Sequence, residues 1–235
     1  MPDRPKFDAR KPDGGGTVKD RDHALSLAFA ASMALLCALL QGAGLVELLR
    51  FDRGEIDAGA WWRLLSGNFV HLGSAHLMMN LVGLALVVSL VWRRFSAAEW
   101  IVITLLCSSV VGGGLYALNP EIGWYVGFSG TLHGLIVAGS VADLRHYPRS
   151  AAVLLALIAG KLLWEQYAGA LPGSEATAGG RVVVDSHLYG AVGGALLAPM
   201  LLVLRRLRGR RPPRPDARGN ARAVMRGTNA PENGE

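Results

Sequence analysis

The residues best placed to do chemistry are Gly127-Phe128-Ser129-Gly130-Thr131-Leu132-His133-Gly134, where a serine between glycines stands at the passage from a polar loop into an apolar helix. A hydroxyl at a helix start lies beside backbone N–H groups that lack intrahelical partners and beside the positive end of the helix dipole. That setting stabilises an oxyanion forming next to it. Glycines at 127 and 130 let a bound chain approach the backbone. Serine has little nucleophilicity until a base takes its proton, so the motif means chemistry only if a base and further donors converge on it. By itself, a serine among small residues serves equally well to pack membrane helices.

The elements that must bring those partners together are membrane spans. Of the 235 residues, 51% are hydrophobic, a balance that fits several spans better than one soluble core. The sequence predicts an all-α bundle of six transmembrane helices. They cover about 24–45, 74–91, 100–118, 128–141, 151–167 and 182–204. A folded surface loop holding Trp61, Trp62 and Phe69 lies between the first two, where tryptophan is at home. The membrane domain is expected to occupy 23–204. Residues 1–22, without periodicity, read as a disordered leader, and the Arg/Pro-rich 205–235 as a disordered basic tail. The net charge of +6 does not call for nucleic acid, because nine arginines are packed after Leu204, beyond an apolar run, where anionic lipid headgroups are the simpler partner. Cys37 and Cys107 both fall in apolar runs and read as packing residues, with no disulfide framework or metal-ligand pattern.

Lys and Arg positions fix an expected orientation. The leader, Arg93, Arg94, Arg145, Arg149 and the tail share one side, whereas the other holds only Arg50, Arg53, Arg63 and Arg181. By the positive-inside tendency both termini are cytoplasmic, and the even-numbered spans start at the outer face.

This orientation brings polar residues to one depth. His76 and Asn80 open the second span, Ser129 the fourth and His187 the sixth. Polar groups in spans are costly and normally face the bundle interior, so four at one level on three co-oriented helices form a credible cluster. His76 and Asn80 are four apart and share a helix face, as do Ser129 and His133. Gly190 and Gly194, one and two turns after His187, allow the sixth span close to a neighbour. If that neighbour is the fourth span, His187 reaches Ser129 as its base, and Asn80 can donate to an oxyanion. Asp185 lies two residues from His187 on a helix and points elsewhere, so the expectation is a Ser-His dyad with no acid. Lys161 and Glu165, four apart in the fifth span, can pair with each other, and whether Glu165 also meets substrate stays open. His71 and His133 read as support for the site.

The chain resembles the rhomboid family of intramembrane serine proteases. The resemblance is carried by His71-x4-His76-x3-Asn80, Gly127-Phe128-Ser129-Gly130, His187-x2-Gly190-x3-Gly194 and Trp62-Arg63 in the first loop. It implies Ser129 as nucleophile and His187 as base, with Asn80, His76 and the Ser129 backbone N–H forming the oxyanion hole and no metal or cofactor. Where many rhomboids carry tyrosine four residues after the serine, His133 stands here. With Lys161-x2-Trp164-Glu165-Gln166 and Val184-Asp185-Ser186-His187-Leu188-Tyr189-Gly190-Ala191, this looks like the rhombosortase subgroup. That resemblance implies a bacterial inner-membrane protease whose site lies near the periplasmic face. Its substrates would be exported proteins with a C-terminal Gly-Gly motif, an apolar span and a basic end.

Three other classes compete. A general rhomboid protease would take other single-span substrates. A haem protein could use His76, His133 and His187 as axial ligands, but would not need Ser129 or its glycines. A non-catalytic relative would hold membrane clients, yet such relatives usually lack the serine or the histidine, and both are here.

Overall fold

The computed structural model describes residues 16–209. In chain order the elements are α1 (Gly16–Gly42), α2 (Val46–Leu49), strand β1 (Phe51–Asp52), α3 (Arg53–Asp57), α4 (Arg63–Ser66) and α5 (Ser74–Val91). They continue with α6 (Ala97–Leu118), strand β2 (Trp124–Tyr125), α7 (Ser129–Asp143), α8 (Pro148–Ala168), α9 (Ser174–Ala178) and α10 (Val184–Gly209). The helix starts follow local chemistry. Ser96 and Glu99 close a reciprocal capping box on α6, and Pro148 begins α8, where a missing N–H costs nothing.

Among the described residues, five helices are long and apolar enough to cross a membrane: Arg21–Gly42 within α1, Ser74–Arg94, Ala97–Leu118, Pro148–Ala168 and Val184–Leu207. The protein is therefore a multi-pass membrane protein. The sequence pattern predicts six. The fourth, α7, has 15 residues, which at 1.5 Å each is about 22 Å against a hydrocarbon thickness of roughly 30 Å. It is stopped by the turn at 144–147 and is enclosed by α5, α6 and α8, with Gly130, Leu132, Gly134, Leu135 and Val137 all buried. A helix so surrounded can begin below the bilayer surface, because its first turn faces protein and a cavity and not lipid.

Two boundaries also differ. α1 already includes residues 16–22, which the sequence assigned to the leader, and α10 continues through 205–209. The rest of both expected tails lies outside the described residues. Of the described residues, those up to Leu201 belong to one compact unit that holds every candidate site residue, and 202–209 fall outside it.

The first loop is folded, as expected, but not entirely helical. Phe51 pairs with Tyr125 and Asp52 with Trp124 in a two-residue antiparallel ladder, and the Gly127 N–H donates to the Gly67 carbonyl at 3.0 Å. Arg53 donates to the carbonyls of Leu115, Tyr116, Asn119 and Ile122 at 2.9 to 3.1 Å, satisfying the open end of α6. Buried Arg63 likewise holds the carbonyls of Glu47 and Arg50. The loop leading to Ser129 is thus clamped from outside the bundle.

Inside lipid there is little hydrophobic drive between helices, so backbone proximity does the packing. A Cβ placed on Gly190 would sit 1.8 Å from the Gly130 carbonyl oxygen, and one on Gly194 would sit 2.1 Å from that of Gly134. α10 and α7 meet backbone to backbone along this glycine seam. At the far end Arg94, just after α5, pairs with Asp143 at the end of α7. α5 and α7 therefore run side by side from the Ser129 end to the arginine end.

Candidate active site

Ser129 is the first residue of α7, and His187 lies one turn into α10. The glycine seam carries the imidazole to the hydroxyl: Ser129 Oγ and His187 Nε2 are 2.9 Å apart. His187 is 5% exposed, and its other nitrogen meets a residue that the sequence reading had not recruited. His187 Nδ1 lies 2.9 Å from Glu165 Oε2 on α8. A carboxylate can only accept and an ammonium can only donate; the Glu165 contact is shorter than the 3.3 Å approach of Lys161 Nζ to the same nitrogen, so the ring proton is assigned to Nδ1, toward Glu165, which leaves the Nε2 lone pair facing Ser129. Lys161 Nζ donates to Glu165 Oε1 at 2.6 Å. The expected Lys161–Glu165 pair is present, but the expectation of no acid beside His187 is corrected. Asp185 instead accepts from Asn119 Nδ2 at 3.0 Å, tying α10 to the loop after α6.

His133 stacks on His187, with centroids 4.3 Å apart and planes 20° off parallel, and its Nδ1 donates to the Ser129 carbonyl at 2.7 Å. Ligand atoms of His133, Glu165 and His187 lie within 4.8 Å of one another. Nearly parallel rings do not aim their nitrogens at a single point, however, and the Lys161 ammonium already sits 3.3 Å from His187 Nδ1. The arrangement suits a chain of hydrogen bonds better than a metal.

His76 and Asn80 reach the same cavity from α5. The cavity has a volume of about 380 Å³, and its polar lining includes His76, Asn80, Ser129, Lys161, Glu165 and His187. Asn80 Nδ2 donates one hydrogen to the His76 carbonyl at 3.0 Å, which leaves its second N–H for a ligand. The Leu72 N–H points at His76 Nδ1 at 3.4 Å, so the His76 proton belongs on Nε2, also as a donor. Gly127 has φ +127°, and a Cβ there would fall 2.7 Å from the His76 ring, so glycine is required both by conformation and by space. Tyr125 donates to the Gly127 carbonyl at 2.6 Å, and burial pushes its phenol up to about 12, keeping it a neutral donor.

His71 packs edge-on behind His76 at 5.2 Å and has no exposed surface. Burial, with a smaller push from His76, lowers it to about 3 from 6.5. Between those values the unfolded chain takes a proton that the folded chain refuses, so stability falls as pH drops below 6.5. From pH 6.5 to 4.5 the loss attributable to His71 is about 2 kcal/mol. Thermal unfolding of His71→Phe is expected to be correspondingly less acid-sensitive than that of the natural protein.

A rhomboid-domain family model matches residues 58–204, which includes every residue of this site. The chain belongs to the rhomboid family. Rhomboids are intramembrane serine proteases that act on membrane proteins within the bilayer. A search of curated proteins finds no match. The family match extends from the first loop, through the clamp around Arg63, to the last turns of α10. Among the sequence-predicted residues, the rhomboid site joins Ser129 directly to His187, lines one cavity with His76, Asn80 and His133, sets Gly127 against the His76 ring, and keeps Gly130, Gly190 and Gly194 at close backbone contacts. His71 stands behind His76. The residue that the sequence reading left without a role in the chemistry is Glu165. Its signal was the buried stripe Ala151, Ile158, Leu162 and Glu165 on α8, in which an acid takes a core position.

Proposed function

We propose that this protein is an intramembrane serine endopeptidase of the rhombosortase type. It would remove the C-terminal Gly-Gly, transmembrane and basic sorting tail of exported bacterial proteins at the periplasmic side of the inner membrane, with both of its own termini cytoplasmic. The observation that carries the activity is the 2.9 Å contact between Ser129 Oγ and His187 Nε2 beside a cavity with free donors. The subgroup assignment rests on His133 in the tyrosine position and on the sequence around Lys161 and His187.

In this reading a substrate helix opens at its glycines, which weaken helical structure and admit a close approach. Ser129 Oγ attacks the exposed carbonyl carbon as its proton passes to His187 Nε2. The carbonyl oxygen becomes an oxyanion facing the Asn80 amide, His76 Nε2–H and the Ser129 backbone N–H. The C–N bond then breaks, and His187 returns the proton to the departing amine. Water, or an acceptor amine, releases the acyl group from Ser129 with His187 again acting as base. Orientation is supported by Arg93, Arg94, Arg145 and Arg149, which lie near the ends of α5 and α7 remote from Ser129.

The test is co-expression with Gly-Gly-tailed membrane proteins and mass measurement of their new C-termini. A new terminus at the Gly-Gly region, dependent on Ser129, is expected. Ser129-dependent cleavage confined to other single-span proteins would leave a general rhomboid protease. Asn80→Ala is expected to lower kcat on the order of 100-fold with a smaller effect on KM, the loss typical of one oxyanion donor. Unchanged kcat in that variant would remove Asn80 from the role.

A further inference from the structure

The face that α8 turns toward the bundle is apolar except at two positions. Ala151, Ile158 and Leu162 are buried along it, and the next residue of the stripe, Glu165, is 3% exposed. On the outward side Leu157, Leu163, Trp164 and Tyr167 are exposed, as lipid-facing residues are. A carboxylate has a high desolvation cost at such a position and persists there only with charged or hydrogen-bonding partners. Glu165 has both. Oε1 accepts from Lys161 Nζ at 2.6 Å, one turn earlier on the same helix, and Oε2 accepts from His187 Nδ1 at 2.9 Å on α10.

We infer that Glu165 is the acid of a Ser129–His187–Glu165 triad, a positioning residue acting through His187, and that Lys161 holds the carboxylate in place. The inference rests on the protease reading above and deepens it, replacing a dyad by a chain of four side chains on three helices.

Geometry separates this role from simple ion pairing. If Glu165 served only to neutralise Lys161, one oxygen would suffice and the second could point anywhere. Instead its two oxygens divide between Lys161 and His187. The His187 ring is fixed on every side: by Ser129 at Nε2, by Glu165 at Nδ1 and by the His133 ring stacked on its face at 4.3 Å. Because a carboxylate accepts only, and its 2.9 Å contact at Nδ1 is shorter than the 3.3 Å approach of the Lys161 ammonium to that nitrogen, it holds the tautomer in which Nε2 can accept the Ser129 proton. A glutamine at 165 could instead donate to Nδ1, which would leave the proton on Nε2 and block the first step. Proton balance through the cycle is unchanged. His187 takes one proton from Ser129 and gives it to the leaving amine, while Glu165 stays ionised and offsets the transient imidazolium.

The test uses the full-length protein in detergent or vesicles, with a cleaved membrane substrate and Ser129→Ala as the reference for no catalysis. Glu165→Gln is expected to lower kcat by 100-fold or more with KM nearly unchanged, in line with the large losses seen when a triad acid is neutralised. Lys161→Met should lose less. The double variant should be no slower than Glu165→Gln alone, because both residues act along one chain. Glu165→Gln cleaving at the natural rate, or changing KM alone, would overturn the inference while leaving the protease reading intact. Absence of any Ser129-dependent cleavage by the natural protein would instead defeat the protease reading. A second readout needs no variant at position 165: ¹⁵N NMR of the natural protein labelled at histidine, with the His187 signal assigned by its loss in His187→Asn. The proton is expected on Nδ1, and a resting ring protonated at Nε2 alone would overturn the assignment.

Discussion

Ser129→Ala and His187→Ala are each expected to abolish substrate cleavage in membranes, with kcat falling on the order of a million-fold, while protein levels remain those of the natural chain. The size of the effect follows from their acting as one unit across a 2.9 Å contact. Without the imidazole the hydroxyl keeps its proton, and without the hydroxyl the imidazole has nothing to activate. The double variant should therefore be no worse than either single one. Gel-based turnover of a co-expressed substrate checks this, and residual cleavage near the natural rate in either variant would remove that residue from the machinery.

The second large effect is expected at a residue that has no side chain. In Gly190→Ala the new methyl would lie 1.8 Å from the Gly130 carbonyl oxygen, far inside contact distance, so α10 must move away from α7 by more than 1 Å. His187 is one turn earlier on the same helix, and its contact with Ser129 would open with that movement. A misplacement of about 1 Å costs roughly 100-fold in rate. Gly193→Ala is the control. Its nearest neighbour, Val110, is 3.4 Å from the added carbon, an ordinary contact, so near-natural turnover is expected. If both variants cleaved equally well, backbone contact along the seam would not be what positions the base.

The sequence was most legible where chemistry and spacing coincide. His76 and Asn80 at i and i+4, Ser129 at a helix start, and glycines one and two turns after His187 each report a local requirement: the three polar residues line one cavity with His187, and the glycines hold α10 against α7. Less legible was anything set by the packing of distant segments. Asp185 drew attention as an acid because it is near His187 in sequence, yet Glu165, 22 residues away from His187, is the one in contact with it. The i,i+4 spacing of Lys161 and Glu165 indicates that the two can pair, and the apolar stripe places Glu165 at a core position, but neither says which neighbouring helix its second oxygen serves. α7 looked like a full span because its apolar run continues almost to Asp143, whereas its helix is short and enclosed on all sides. The two-residue ladder between Phe51–Asp52 and Trp124–Tyr125 is too brief to leave a periodic signature, although it anchors the loop that delivers Ser129.

Mechanism-based labelling offers the most direct measurement of the central claim. The purified protein, treated with a fluorophosphonate and digested for peptide mass analysis, is expected to carry one phosphonyl adduct, on the peptide containing Ser129, and to carry none when His187 is alanine. An adduct on Ser129 that forms equally fast without His187, or a protein that cleaves substrate while Ser129 stays unmodified, would contradict the account.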